Sequence, residues 1–169
     1  MGLGRGQGAV HRRVTAAGQN VRMENAPACR DVLVADAAIV AHHRFEGSSE
    51  HPLERAAYET WVSSHIQSGA YLGRVAEIDG RVVAGAGLVL LDWGPTRGNV
   101  GGLCGRVVAV FTEPAWRRRG LARGLVKQVI DRAAERGVRD FRLAASADGA
   151  ALYRALGFRP YGAEMVFKA

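Results

Sequence analysis

The sequence predicts a mixed α/β fold of the α+β class, a sheet with helices packed on it, and three observations predict it. Two largely apolar runs, Tyr71–Ile78 and Arg81–Asp92, flank Asp79-Gly80, and a D-G pair between such runs is a strong hairpin signal. A five-residue apolar run, Val107–Phe111, is followed by Pro114 and then by Leu121, Leu125, Val129 and Ala133 at four-residue spacing. That pattern is a strand buried on both faces leading into an amphipathic helix. Ahead of the hairpin, two further helical stretches are separated by Gly47-Ser48-Ser49.

The elements follow in order. Residues 1–26 are a tail rich in Gly, Arg, Gln and Asn, with little to bury. Residues 27–169 are expected to form a single domain, a length that suits one core. Arg30–Val34 is the first expected strand, and Asp36 is placed as the N-cap of a helix over Ala37–Phe45. Pro52 suits the first turn of a second helix reaching about Gln67. Its apolar stripe is Leu53, Ala57 and Trp61, widened by Tyr58, Val62 and Ile66, and Gly69 stops it. After the hairpin, glycine-rich Gly94–Gly105 is expected to be a loop. In the helix after it, Val126 and Ile130 join the stripe, Arg123, Lys127 and Arg132 face away, and Gly137 ends the element. Arg139–Ala145 then suits a strand, Ala147–Leu156 a short helix capped by Gly157, and Arg159–Phe167 a last strand.

Composition excludes several classes. No apolar run approaches the ~20 residues that cross a bilayer, and the N-terminus lacks an apolar signal core. No membrane is expected, and a reducing cytoplasm is the expected compartment. Cys29 and Cys104, the only cysteines, have no metal-ligand spacing, so no metal is expected. The formal charge of +7 invites a nucleic-acid reading. Yet four arginines against one glutamate lie before Pro27, and Arg117 to Arg119 carry three more charges. The positive field is thus concentrated in a tail and a loop, which argues against nucleic acid as the partner.

That loop, Arg117-Arg118-Arg119-Gly120-Leu121-Ala122, lies at a helix N-terminus. First-turn amides have no partner inside a helix and the dipole makes that end positive, so the place suits phosphate. Neither G-x-x-x-x-G-K-[ST] nor a helix-opening G-x-G-x-x-G is present.

Arg117-x-x-Gly120-x-Ala122 resembles instead the [QR]-x-x-G-x-[GA] pyrophosphate loop of the GNAT superfamily of acyl-CoA N-acyltransferases. Thr112-Glu113-Pro114 resembles that family's strand exit, and Leu152-Tyr153-Arg154-Ala155-Leu156-Gly157-Phe158 its L-Y-x-x-x-G-F segment. The resemblance spans roughly Ala35 to the C-terminus. It implies the GNAT fold, a twisted, mostly antiparallel sheet flanked by helices, with two parallel central strands splayed to admit coenzyme A. Here those strands would be Val107–Thr112 and Arg139–Ala145. It further implies N-acetyltransfer from acetyl-CoA, without metal, by direct attack of a primary amine in a ternary complex. The acceptor would be a small-molecule amine or a protein N-terminus. Cofactor-binding residues implied in this way are Val110, Phe111 and Thr112 on the strand, Arg117, Arg118, Arg119, Gly120, Leu121, Ala122 and Arg123 at the loop, and Ser146 past the second strand. Tyr153 matches the family tyrosine that protonates the departing thiolate, and an unperturbed phenol is protonated at neutral pH. Homodimers are frequent in the family, so a homodimer is implied by analogy.

One departure concerns the general base. Some members carry a glutamate on the strand before the loop, whereas this chain has Cys104-Gly105-Arg106 there and no acid until Glu113. Glu113, a water relay or a distant carboxylate remain open. Cys104 reads as a structural thiol, because no motif brings a histidine to it. Ser146 and Asp148 are candidates for ligand contact or helix capping, with capping favoured for Asp148. His42, His43, Glu46, Glu50, His51, Asp92 and Trp93 are candidates for the acceptor pocket. Two further readings are a noncatalytic acyl-CoA-binding module that has lost its base and a nucleic-acid binder using the basic tail.

Overall fold

The computed structural model describes residues 26–46, 52–162 and 167. The tail, the expected break at Gly47-Ser48-Ser49, and the acceptor candidates Glu50 and His51 lie outside the described residues. Five strands form one sheet in sequence order: β1 (Ala28–Asp31), β2 (Tyr71–Ile78), β3 (Arg81–Asp92), β4 (Leu103–Thr112) and β5 (Asp140–Arg142). Pairing is antiparallel from β1 through β4, and β4 pairs with β5 in parallel. The helices are α1 (Ala37–Phe45), α2 (Pro52–Ser68), α3 (Leu121–Glu135) and α4 (Ala150–Ala155).

Alternation along the strands gives the sheet two apolar faces. On one face, Leu125, Val126, Val129 and Ala133 of α3 pack on Leu72, Ala76, Ala84, Ala86, Leu88 and Val107. On the other, Ala37 and Val40 of α1 and Val62 of α2 pack on Tyr71, Val89 and Ala109. The β2–β3 hairpin turns at Asp79 and Gly80, both at positive φ (48° and 77°), as a tight right-twisted hairpin requires. Gly87 answers a different need. A Cβ there would sit 1.8 Å from the Tyr71 hydroxyl oxygen, so the bare backbone of β3 is what admits the buried tyrosine ring.

Charged groups tie the outer elements together. The Asp36 carboxylate accepts Arg30 Nη1 at 2.7 Å, Arg30 Nη2 at 3.0 Å and the Leu33 amide at 2.7 Å, while Arg30 Nε reaches Glu77 at 2.8 Å. Asp36 therefore precedes α1 as expected but does not cap it, because its oxygens turn back to the β1 exit. The Arg30 hydrogen bonds hold its carboxyl below the usual range against the opposing effect of burial, with the Leu33 amide adding to them. Asp31 pairs with Arg74 and Arg132, joining β1, β2 and α3.

Several boundaries differ from expectation. β1 begins at Ala28 and ends at Asp31, where pairing with β2 ends, and Val34–Asp36 is a single 3-10 turn. In α2, Leu53 is 84% exposed and Ala57 is exposed, so the buried stripe is Tyr58, Trp61, Val62 and Ile66. Only the later turns of this helix meet the sheet. β4 begins at Leu103, opposite Asp92, four residues before the apolar run, because β3 is long enough to pair with it there. The expected loop is correspondingly reduced and closes through a Thr96–Asn99 bridge. β5 covers three residues of the expected seven-residue strand, for a reason described below. α4 starts at Ala150, and residues 159–162 of the expected last strand are not in a strand.

Two outcomes follow. Gly87→Ala should lower stability by about 1–3 kcal/mol through overpacking against Tyr71, measurable by urea unfolding. A carboxyl whose folded pKa is depressed contributes stability above its unfolded pKa of about 4 and loses it as pH falls through the folded value. Wild-type stability should therefore fall through that acid window, and Asp36→Asn should be less stable at neutral pH with a shallower acid loss in thermal melts.

Candidate active site

Two backbone irregularities on neighbouring strands create the site. The β3–β4 register runs Gly87↔Val108 and then Gly85↔Phe111, so β4 carries an extra residue. Ala109 lies there at φ 49°, in the left-handed region that an L side chain seldom adopts. On the other edge of β4, pairing with β5 covers Cys104↔Asp140, Gly105↔Phe141 and Arg106↔Arg142 and then stops. Beyond Arg106 the two strands part. A cleft of about 230 Å³ opens there, lined by Val107, Val108, Ala109 and Val110 of β4, by Ala144 and Ser146 past β5, by Tyr153 of α4, and by His43, Arg44 and Glu46 at the end of α1. The truncation of β5 is the same event as the opening of the cleft. A larger hollow of about 1340 Å³, walled by Trp93, Phe141, Arg142, Phe158 and Tyr161, also reaches Tyr153.

β4 runs from this cleft into the arginine loop. A 3-10 turn at Pro114–Trp116 follows the strand, Arg118 and Gly120 both have positive φ (64° and 82°), and α3 begins at Leu121. Gly124 N–H closes the first helical bond, on the Gly120 carbonyl at 3.0 Å. The amides of Leu121, Ala122 and Arg123 thus belong to the open first turn, at the positive end of the dipole. Arg117 turns back, its Nε donating to the Thr112 carbonyl at 3.0 Å, and so braces the loop against the strand end. The Arg119 guanidinium lies 4.5 Å over the Trp116 ring. Arg117, Arg118, Arg119 and Arg123 are all exposed.

The remaining candidates sort by contact. Val110, Ser146 and Tyr153 meet at the cleft, whereas the Phe111 ring turns to α1 and stacks on His43 at 4.7 Å. The Thr112 hydroxyl oxygen is buried without a partner among the described residues. Burial raises the Tyr153 phenol above its ordinary value, so it keeps its proton at neutral pH. Ser146, not Asp148, serves the start of α4: its Oγ accepts the Gly149 amide at 3.2 Å and its carbonyl accepts the Ala150 amide at 3.1 Å. Glu113 is held by Arg81 through both carboxylate oxygens, at 2.8 and 2.7 Å. Cys104 is buried in β4 and its thiol is pushed up by that burial, as suits a structural role. His42 is half-buried and pairs with Glu46 at 3.1 Å while His43 is buried, yet both rings meet Phe111, His42 edge-on at 5.8 Å and His43 stacked at 4.7 Å. Asp92 accepts the Gly94 amide, and Trp93 stacks on Arg142 at 5.1 Å, at the larger hollow rather than the cleft. Among the described residues no group of His, Cys, Asp and Glu is arranged to hold a metal ion, and no helix is long and apolar enough to cross a membrane.

Sequence reasoning missed the bulge, because alanine gives no warning of a left-handed conformation. The signal lay across the ladder, where Gly85 and Gly87 interrupt β3, since glycine inside a strand often marks a bulge or a close approach.

The Acetyltransferase (GNAT) family model matches residues 37–158, which takes in the cleft, the loop and α4. The chain belongs to the GNAT family of acetyltransferases. Its fold is shared with a predicted acetyltransferase from Clostridium acetobutylicum solved with acetyl-CoA (TM-score 0.78, 22% identity, 83% of this chain and 95% of that one). A GCN5-related N-acetyltransferase from Ralstonia eutropha JMP134 is similar at TM-score 0.75 and 28% identity over 84% of this chain and 97% of that one. Glucosamine-6-phosphate N-acetyltransferase from Arabidopsis thaliana shares the fold at TM-score 0.67 and 14% identity, covering 83% and 97%. No curated protein matches the sequence. For this GNAT protein the splayed strands, the bulge and the loop at Gly120 are parts of one architecture.

Because Gly120 has positive φ and open space where a Cβ would point, Gly120→Ala meets no clash and costs about 1 kcal/mol of backbone strain. Calorimetry should show weaker acetyl-CoA binding for this variant, with thermal stability only slightly reduced.

Proposed function

We propose that this protein transfers an acetyl group from acetyl-CoA to a primary amine by direct attack in a ternary complex. The observation that carries the reading is the cleft where β4 leaves β5, with a protonated phenol on its wall, on a strand that itself runs on to an open helix N-terminus.

Each part of acetyl-CoA has a counterpart. Pantetheine amides need backbone partners, and β4 beyond Arg106 has no β5 neighbour to satisfy that edge. Val110 and Thr112 offer their main chain there, although the Thr112 carbonyl already holds Arg117, whereas Phe111 pairs with Gly85 of β3. The diphosphate would sit on the amides of Leu121, Ala122 and Arg123 below Gly120, with the Arg118, Arg119 and Arg123 guanidiniums adding charge and Arg117 bracing the loop. Ser146 would border the thioester end.

The chemistry needs a neutral amine, a stabilised tetrahedral intermediate and a proton for sulfur. The amine nitrogen forms a bond to the thioester carbon and the carbonyl electron pair moves to oxygen. As that pair returns, the C–S bond breaks and the Tyr153 hydroxyl gives its proton to the thiolate. The amine proton leaves through a water relay, which in turn returns a proton to the Tyr153 phenolate; Glu113 is a poor candidate to take it, because both of its oxygens are committed to Arg81. The acceptor is a small-molecule amine or a protein N-terminus. We place residues 27–169 in one domain with residues 1–26 outside it, take the protein to be cytoplasmic from its two unpaired cysteines, and take a homodimer as implied by family analogy alone.

The missing strand carboxylate favours a second reading, a noncatalytic acyl-CoA-binding module. A free-thiol assay with acetyl-CoA over a panel of primary amines separates the two: release of coenzyme A that depends on the amine supports transfer, and acetyl-CoA binding without release across the panel supports the module. Tyr153→Phe should lower turnover by about 100-fold or more while leaving acetyl-CoA affinity unchanged in calorimetry. Equal turnover in the variant would retire the general-acid assignment.

A further inference from the structure

One buried polar group at the cleft has no role in the mechanism above. His43 is only 6% exposed, yet its Nε2 atom is buried without a hydrogen-bond partner among the described residues. Leaving such an atom unpaired costs stability, so a native structure that retains one invites a functional reason. The ring is also held from both sides. Phe111 stacks on it at 4.7 Å with an interplanar angle of 26°. Against its nitrogen edge lies Gly85, where a Cβ would fall 2.7 Å from Nδ1, so any other residue there would displace the imidazole. The Gly85↔Phe111 pair that grips it is the register pair beside the β4 bulge, and His43 lines the cleft together with Tyr153.

We propose that the His43 imidazole is the hydrogen-bond partner of the acceptor amine, taking one of its N–H groups so that the nitrogen lone pair turns toward the thioester. The inference rests on the acetyltransfer reading above and deepens it by naming the group that orients the nucleophile. In the neutral imidazole one nitrogen donates and the other accepts, and the Nδ1–H tautomer leaves the unpartnered Nε2 as the acceptor. Burial, with His42 as the second cause, lowers the His43 pKa to about 4, so the ring is uncharged at neutral pH and does not repel a partly protonated amine. Among the described residues, the charged groups near the ring come from α1 and its C-cap: Arg44 and Glu46 share the cleft, and His42 lies 6.1 Å away, ring to ring. Gly85 and Phe111, which face it from β3 and β4, carry no charge, and α4 contributes the Tyr153 phenol. An orienting contact of this kind fixes attack geometry without requiring His43 to carry a positive charge.

The test compares wild type with His43→Phe and His43→Gln, using the fastest amine among glycinamide, ethanolamine, glucosamine and spermidine. His43→Phe keeps the stack on Phe111 and removes the unpaired nitrogen, so its Tm should equal or exceed that of wild type. Acetyl-CoA affinity should not change, while kcat for the amine should fall by about tenfold or more. His43→Gln, which restores an acceptor atom, should recover part of the loss, a rescue that packing alone would not give. A folded His43→Phe protein with kcat within about threefold of an active wild type would overturn this inference alone. Wild-type protein that acetylates none of the four amines would overturn the transfer reading and this inference together.

Discussion

The divergence of β4 from β5 is the constraint on which the rest of the molecule depends. Parallel strands stay together when both continue their ladders. Here the ladder lasts three residues, and then a left-handed alanine takes β4 through a bulge. A bulge bends its strand and increases the local twist. The unpaired edge would be a liability on a free surface. At the mouth of a cleft it offers backbone donors and acceptors.

That opening is held by the packing on both faces. α3 covers one face with Leu125, Val126, Val129 and Ala133, and its first turn presents the loop at Gly120. α1 covers the other and ends beside the cleft with His43, Arg44 and Glu46. The outer ion pairs, Arg30 with Asp36 and Glu77 and Asp31 with Arg74 and Arg132, lie at the β1 edge, away from the cleft. The ion pairs stand apart from the cleft, whereas Val107, Ala109 and Tyr153 serve both core and cleft, and left-handed backbone lies at Ala109 and in the loop at Arg118. Small strained segments over-determined by a packed core are a recurrent arrangement at functional sites.

Much of the site was legible because its pieces are local. A helix N-terminus with a glycine and basic neighbours is contiguous in sequence, as is the α4 segment that carries Tyr153. The Asp79-Gly80 turn is equally local, since two positive φ angles are a demand on two adjacent residues. Where expectation failed, the cause was a distant partner. Leu53 and Ala57 have the right period for burial but lie beyond the part of α2 that meets the sheet. Leu103 to Arg106 look like loop until β3 supplies the facing strand. Ser146 replaced Asp148 as the group serving α4 because the helix starts at Ala150.

By itself the sequence determined the element order, the hairpin, the amphipathic α3 and the arginine loop, because each depends on spacing within a single turn or strand. Tertiary structure decided which groups meet. It placed the bulge at Ala109, paired Glu113 with Arg81, brought His43 between Gly85 and Phe111, and set Tyr153 across a cleft from Val110. These are contacts between residues far apart in the chain, fixed by how two faces of one sheet are covered, and no local period encodes them.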